Sequence, residues 1–512
     1  LPEHVAVMAS LRHFWDPAWR IQEHYVIVGR SQYALYHLAG ALLTFVTGNA
    51  ETANKLLLAG TAFALPFGMR ALLLAFRREP RLALFATPLF WSRPLVVGFL
   101  PYVASLPALL FVLASAVRQA ELPTRRRGIA LAFFGLLLFY LHASAYALLG
   151  VIVVPLAVLG AWKATGKAGR ALVREVLARS VWLAPSGVAA TAWWMLGRLT
   201  MHGDSLADAG EIGHMSTLRS ARAIGLWSFD IWRSHTDELC AVAWWGALVV
   251  LLVAGLKARR PGGDVRAYVP LACAALLYFL LPFRVGAGAM LNVRMAPVLA
   301  LFAILTLDAP DPASLVARGA RVVAMLVCVV TGVNAAIVMR NCERDETDGL
   351  DELFAHTRTG ARLVSLAFDA ESSYTHFPPW LHTGAYHRAR KGGVSSFSFT
   401  ELHHWPLHYV PDKAPPKKSE AFWDFHPCLF RNGEDGVYYD YVLARGDVDL
   451  FRDKPPGPAW KKVATARRFV LWEKVDGAFY PAWPTPLVDA GPCRDRSDIE
   501  AATVEAAPRG YE

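Results

Sequence analysis

Apolar residues in this chain come in blocks, and the blocks recur. They run over about 33–48, 55–76, 95–117, 128–143, 144–162, 179–200, 239–256, 267–282, 290–307 and 320–340. Crossing the hydrocarbon of a bilayer takes about 20 residues of helix, and a backbone inside it must bond to itself. Blocks this long, recurring this regularly, leave little room for a soluble fold. The charged fraction agrees, at 18% against about 25% in an ordinary soluble domain. The sequence predicts an α-helical polytopic membrane protein with about 10 transmembrane helices. A further run, 82–93, holds Pro88 and is too short to cross as an ordinary helix.

Past residue 341 the pattern turns polar. "ARLVSLAFDA", "YYDYVLARGDVDLF" and "RRFVLWEKV" read as strands, and "DGLDELFAHT" and "PPWLHTGAYHRARK" as helices. That alternation predicts a small C-terminal α/β domain over 345–478. The Pro-, Ala- and Asp-rich stretch 479–512 is expected to be a disordered tail. The domains expected are thus 1–31, 32–341 with a long loop at 201–238, and 345–478.

The net charge of +10 does not point to nucleic acid. The basic residues cluster in short loops such as "RQAELPTRRRG", "WKATGKAGRALVREVLAR" and "LKARRPGGDVR", as cytoplasmic loops of an inner-membrane protein do. Counting from these loops puts His142, the 201–238 loop, "FRVGAGA" and the C-terminal domain outside. Residues 1–31 fall outside if 82–93 is re-entrant or interfacial, and inside if it crosses; the basic run "FRREPR" favours crossing. The short length and Pro88 favour the re-entrant reading, which is taken here. An outer segment with no signal before it then implies one more transmembrane helix upstream of Leu1. The six cysteines include no CxxC pair, so no zinc ribbon or dithiol redox site is expected.

Four polar features converge on the outer face. The opening "LPEHVAVMASLRHFWDP" has an apolar edge (Val5, Met8, Leu11, Trp15) and a polar one (Glu3, Arg12, His13, Asp16), which suits a helix on a membrane surface. Its acids Glu3, Asp16 and Glu23, with His4 and His24 nearby, can act as a general base or hold a divalent metal, the one cofactor considered. A solvated helix face, with acids placed to favour the helix dipole, is the plainer reading and the one composition alone favours. In "LPFRVGAGAMLNVRMAP", Asn292 and Arg294 lead an apolar helix that Arg294 is expected to enter by about one turn. A guanidinium there costs roughly 2.5–3.5 kcal/mol unless paired, and a phosphate is one such partner. Snorkelling or a protein carboxylate is the other reading. "FYLHASAY" places His142 at the tip of a helical hairpin, and "FWSRPLVVGFLPY" brings Arg93, Gly98 and Tyr102 into a span from outside. Both also fit an interfacial belt with a snorkelling arginine. "RSARAIGLWSFDIWRSH" reads as a surface helix anchored in lipid by Trp227 and Trp232. The eight histidines past residue 350 match no zinc spacing.

An acidic outer first loop, many spans, a late outer arginine and an outer C-terminal domain resemble the GT-C superfamily of membrane glycosyltransferases. The resemblance covers architecture over 1–340. It implies transfer of a sugar from a polyprenyl-phosphate-linked donor to an extracytoplasmic acceptor. It implies Glu3, with Asp16 second, as base or metal ligand, and Arg294 on the carrier phosphate. His4, Arg93, Tyr102, His142 and Asn292 complete the expected substrate site. The leading Asp common just after the first span in that superfamily is not present here. Two other readings fit the clamp without the base: a transporter or flippase of a lipid-linked substrate, and a non-catalytic assembly subunit.

Overall fold

The structure, a computed structural model, describes residues 2–166, 168–200, 212–229, 231–258, 264–285, 288–308, 311, 313–396, 398–401, 405–416 and 427–481. The tail beyond 481, residues 201–211 of the long loop, and His403, His404 and His426 lie outside the described residues.

The chain opens with α1 (Pro2–Arg12), the single turn α2 (Ile21–His24) and the short strand β1 (Tyr25–Ile27). Then come α3 (Ala34–Thr47), α4 (Ala50–Ala75), the turn α5 (Arg93–Val96), α6 (Leu100–Glu121), α7 (Arg125–Leu141), α8 (Ala143–Thr165), α9 (Arg170–Ser180) and α10 (Ala184–Thr200). After them lie α11 (Thr217–Trp227), α12 (Thr236–Ala258), α13 (Tyr268–Leu280), α14 (Met295–Leu305) and α15 (Leu315–Cys342). A helix falls on every apolar block. Five of them, α4, α6, α8, α12 and α15, are long and apolar enough to cross a membrane, while α3, α13 and α14 are apolar but shorter. Outward faces expose Phe63, Val154, Val242 and Val329, as a hydrocarbon surround requires. Helices approach closely where glycine permits: a Cβ on Gly68 would stand 2.9 Å from the Pro107 carbonyl of α6.

Ion pairs distinguish the two ends of this bundle. At one end Arg77 pairs with Glu121, and Arg78 pairs with Asp308 and reaches the Asp264 carbonyl at 3.4 Å. These residues belong to the basic loops, so this is the basic end. The other end carries α1, the start of α6, the α7–α8 turn and everything from 350 on.

Two crossing expectations change together. Helix α3 has 14 residues, about 21 Å at ~1.5 Å per residue. Tyr33 at its start touches Trp405 and His142. At its far end Gly48 turns the chain directly into α4, whose Glu51 bonds Arg390 at 2.7 Å. Both ends of α3 therefore lie at the same end of the bundle. The short run is the element that connects the two ends. It is a 3-10 helix, Pro80–Phe90, starting beside Arg78 and ending at Trp91, which meets Trp232. Arg81 and Leu84 are exposed and Thr87 half-buried, at the three-residue period where 3-10 side chains eclipse. The two changes offset each other, and residues 1–31 share their end with the C-terminal region, where β1 pairs with the strand Leu407–Tyr409.

The amphipathic surface helix is also corrected. Residues Pro2–Ser10 of α1 are buried throughout, because the helix is enclosed by α3 and by the helix Gly384–Lys391, and its polar side chains bond inward. Trp227 and Trp232 are likewise buried in protein, the latter bridged to Thr375, so they do not anchor α11 in lipid.

A small sheet joins β2 (Ile212–Gly213), β3 (Arg284–Val285) and β4 (Gly288–Ala289). Beyond α15 come α16 (Leu350–Ala355), β5 (Arg362–Ala367), α17 (Gly384–Lys391), β6 (Val394–Ser395), β7 (Leu407–Tyr409), β8 (Tyr441–Arg445), β9 (Gly457–Ala466) and β10 (Phe469–Tyr480). Five strands form a mixed sheet in the order β6-β5-β8-β10-β9, with β5 parallel to β6 and β8. Leu353, Phe354, Leu363, Leu443 and Leu471 fill one face of it. The front of the chain is stitched to this region: β1 pairs antiparallel with β7, Tyr25 opposite Tyr409.

Candidate functional site

The polar residues at the outer end form one cluster beneath α1. Arg294 is the residue before α14, not one within it, so the insertion cost expected for a buried guanidinium does not arise. Its Cζ stands 4.1 Å over the Phe99 ring. It hydrogen-bonds Tyr33, whose phenol is pushed up by burial and pulled back by that cation. The Tyr102 hydroxyl donates to the Arg294 carbonyl. His142 lies between the two tyrosines, its ring 4.9 Å from Tyr33 and 5.1 Å from Tyr102. Its Nδ1 accepts from the Ser144 amide at 3.1 Å and caps α8, which puts the proton of a neutral ring on Nε2. Two buried groups on the stretch leading into α14 make no hydrogen bond among the described residues: Nε of Arg294 and Oδ1 of Asn292, the latter residue 2% exposed. Buried polar atoms are normally satisfied, so these mark a place for a polar ligand.

His4 forms the adjoining wall. Its Nε2 donates to the Gly98 carbonyl at 2.8 Å, and its Nδ1 lies 2.9 Å from Nε2 of His37, whose Nδ1 lies 2.9 Å from the Tyr33 carbonyl. A carbonyl at each end of two rings requires three N–H protons for three hydrogen bonds. Two neutral imidazoles carry two. Burial, then His37, pushes the His4 pKa well below its ordinary value, so at neutral pH one contact goes without its proton. An anion bound nearby would favour the third. Gly98 turns the chain at φ +93°, a left-handed conformation open to glycine, and that turn aims its carbonyl at His4. Arg93 opens α5 on the same stretch, five residues before the carbonyl that His4 uses.

The two acids predicted for catalysis take different places. Glu3 is 1% exposed. Its Oε2 accepts from Arg388 at 2.7 Å and from Ser398 at 3.2 Å, while Oε1 makes no hydrogen bond among the described residues. Asp16 is half-buried, caps the turn at Pro17 through the Ala18 amide, and sits 3.5 Å from His13. Glu23 is paired with Arg20 on the surface. Among the described residues no three His, Cys, Asp or Glu side chains form a metal-holding group. The guanidinium already on Glu3 would repel a cation at that carboxylate.

Sequence reasoning missed Tyr33, His37, Trp405 and Arg388. Tyr33 and His37, one helical turn apart at the start of an apolar block, were a legible signal. Trp405 was not, since its tilted contact with His4 and edge-on contact with His37, at 5.1 and 5.0 Å, join residues some four hundred positions apart.

No family model and no curated sequence matches the chain. Two solved structures do. One is ArnT from Cupriavidus metallidurans bound to undecaprenyl phosphate, with a TM-score of 0.51, 12% identity and 94% of each chain covered. The other is the same protein in the apo state, with a TM-score of 0.52 and the same identity and coverage. The chain shares its overall fold with these structures over 94% of its length. At this identity the likeness is one of fold.

Proposed function

We propose that the chain transfers a sugar from a polyprenyl-phosphate-linked donor to an acceptor on the extracytoplasmic side, its basic end facing the cytoplasm and residues 345–478 outside. The observation that carries this is the Arg294 cluster: a guanidinium with an unsatisfied Nε, two tyrosines and a histidine whose Nε2 can donate, all at one end of a membrane bundle. Such a donor set suits a phosphate monoester or diester. The likeness to a protein solved with undecaprenyl phosphate supports the same ligand class. In the reaction an acceptor oxygen attacks the anomeric carbon, the carbon–oxygen bond to the phosphate breaks, and the phosphate keeps the electron pair. Arg294 offsets the charge that builds on that oxygen. The acceptor proton passes to a carboxylate.

Glu3 is the first candidate for that carboxylate, through Oε1, and Asp16 the second. Glu3→Gln separates a base from an anchor. Breaking the buried pair with Arg388 lowers the melting temperature in either case, so a base role predicts transfer lost by at least about a hundredfold in protein still folded at the assay temperature. An anchoring role predicts activity falling only in step with the melting temperature. Carrier recognition is tested directly by titrating undecaprenyl phosphate into the purified chain. Arg294→Ala should lose binding by about a hundredfold or more, near 3 kcal/mol. Retained binding would overturn the clamp.

A further inference from the structure

The basic end carries a groove that the transfer chemistry does not use. It encloses about 730 Å³ and is lined by Pro66, Phe67 and Arg70 of α4, by Arg81, Leu84 and Thr87 of the 3-10 helix, and by Arg321 of α15. A second hollow of about 710 Å³ adjoins it, sharing Arg81 and Arg321 and adding Arg318, Glu79 and Asp311.

The construction follows from the three-residue period. A 3-10 helix lines up every third side chain, so Arg81, Leu84 and Thr87 form one stripe along the groove floor. The stripe changes from charged to apolar to polar with depth. The two long helices stand on either side of it. On α4, Phe67 is 50% exposed and lies one turn deeper than Arg70. On α15, Cys328 lies two turns deeper than Arg321 and its sulfur reaches the Leu84 carbonyl at 3.9 Å. Guanidiniums thus gather at the mouth while apolar side chains line the depth. Four arginines meet two carboxylates there, and both carboxylates are engaged by backbone: Glu79 accepts from the Arg81 amide at 3.2 Å and Asp311 from the Ala313 amide at 2.9 Å.

We infer that this groove binds an anionic glycerophospholipid of the leaflet at the basic end, its phosphate held by Arg70, Arg81 and Arg321 and an acyl chain lying along Leu84 and Phe67. The charge favours an anion, and the apolar floor runs from the mouth toward the hydrocarbon, which a free phosphate would not use. Basic hollows between spans are suited to anionic headgroups. The site lies at the end of the bundle opposite the Arg294 cluster.

The test uses the full chain in a neutral detergent, with dioleoyl-phosphatidylglycerol or dioleoyl-phosphatidylcholine added in separate titrations and retention followed by native mass spectrometry. Phosphatidylglycerol should be retained at least about tenfold more tightly. Arg70→Ala/Arg81→Ala should abolish that preference, and Arg126→Ala, an exposed arginine at the start of α7, should leave it intact. Equal retention of the two lipids, an unaffected double variant, or an equal loss in Arg126→Ala would overturn the site. Should the double variant fail to fold, a photoactivatable phosphatidylglycerol on the unaltered chain decides. Labelling within 66–70 or 81–87 supports the groove, and labelling confined elsewhere refutes it.

Discussion

The two ends of the bundle use the same residue type in opposite ways. At the end opposite the basic loops two arginines are held against named partners. Arg388 is fully buried against Glu3, Ser398 and the Tyr25 ring, and Arg294 lies over Phe99 and bonds Tyr33. At the basic end Arg70, Arg81 and Arg318 are exposed around a hollow, and the nearest ion pair of Arg81 is a loose 3.8 Å contact with Glu79. A fixed partner makes a guanidinium a structural member or an oriented tool. An open rim makes it a source of charge. The distinction can be tested by breaking each kind in turn.

The largest effect is expected at Arg388. Removing one partner of a buried pair leaves the other charge unmatched, at a cost of about 3–5 kcal/mol. Arg388→Met should therefore lower the melting temperature strongly, followed by intrinsic fluorescence in detergent. Adding Glu3→Gln should recover part of the loss, because the stranded carboxylate is gone. If Arg388→Met melts like the parent, the front of the chain is not held by this pair.

That pair also shows where sequence reading stopped. The apolar blocks gave every long helix, because a period and a length are local properties. The end-to-end path was not local. Whether α3 or the run 80–90 connects the two ends depends on Arg78 finding Asp308 and Trp91 finding Trp232, contacts between distant stretches. Arg294, Tyr102, His142 and His4 were legible as polar groups on outer turns, and the fold brings them together. Arg93 and Asn292 lie on the same turns. The polar edge of α1 looked solvated because its partners Arg388, Gly98 and His37 could not be inferred from spacing.

A second, smaller effect separates the outer end by pH. His387 in α17 is fully buried, and burial pushes its pKa down to about 4; His4 and His24 are lowered by burial as well. These rings are neutral in the folded chain and titrate near 6.5 when unfolded. Below that pH the unfolded chain binds more protons, so stability falls as pH drops from about 6.5 and levels off near 4. For His387 alone the loss is on the order of 3 kcal/mol. His387→Leu should flatten part of the acid limb of a melting-temperature profile. An unchanged limb would show that the ring is protonated in the fold.

The smallest effects come from exchanging arginine for lysine, which keeps charge and removes the planar fork. At Arg294 the fork bonds Tyr33 and stacks on Phe99, so Arg294→Lys should weaken undecaprenyl phosphate binding by about ten- to a hundredfold, or 1.4–2.8 kcal/mol. At the groove Arg81 faces open space with no ring beneath it, and a mobile ammonium can reach a headgroup phosphate equally well. Arg81→Lys should hold phosphatidylglycerol within about twofold of the parent, under 0.5 kcal/mol. Equal losses at the two positions would mean that both ends read phosphate geometry. A small loss at Arg294 would instead reduce it to the same diffuse role as the rim, and the contrast between enclosed and open arginines would fail at the position where it matters most for transfer.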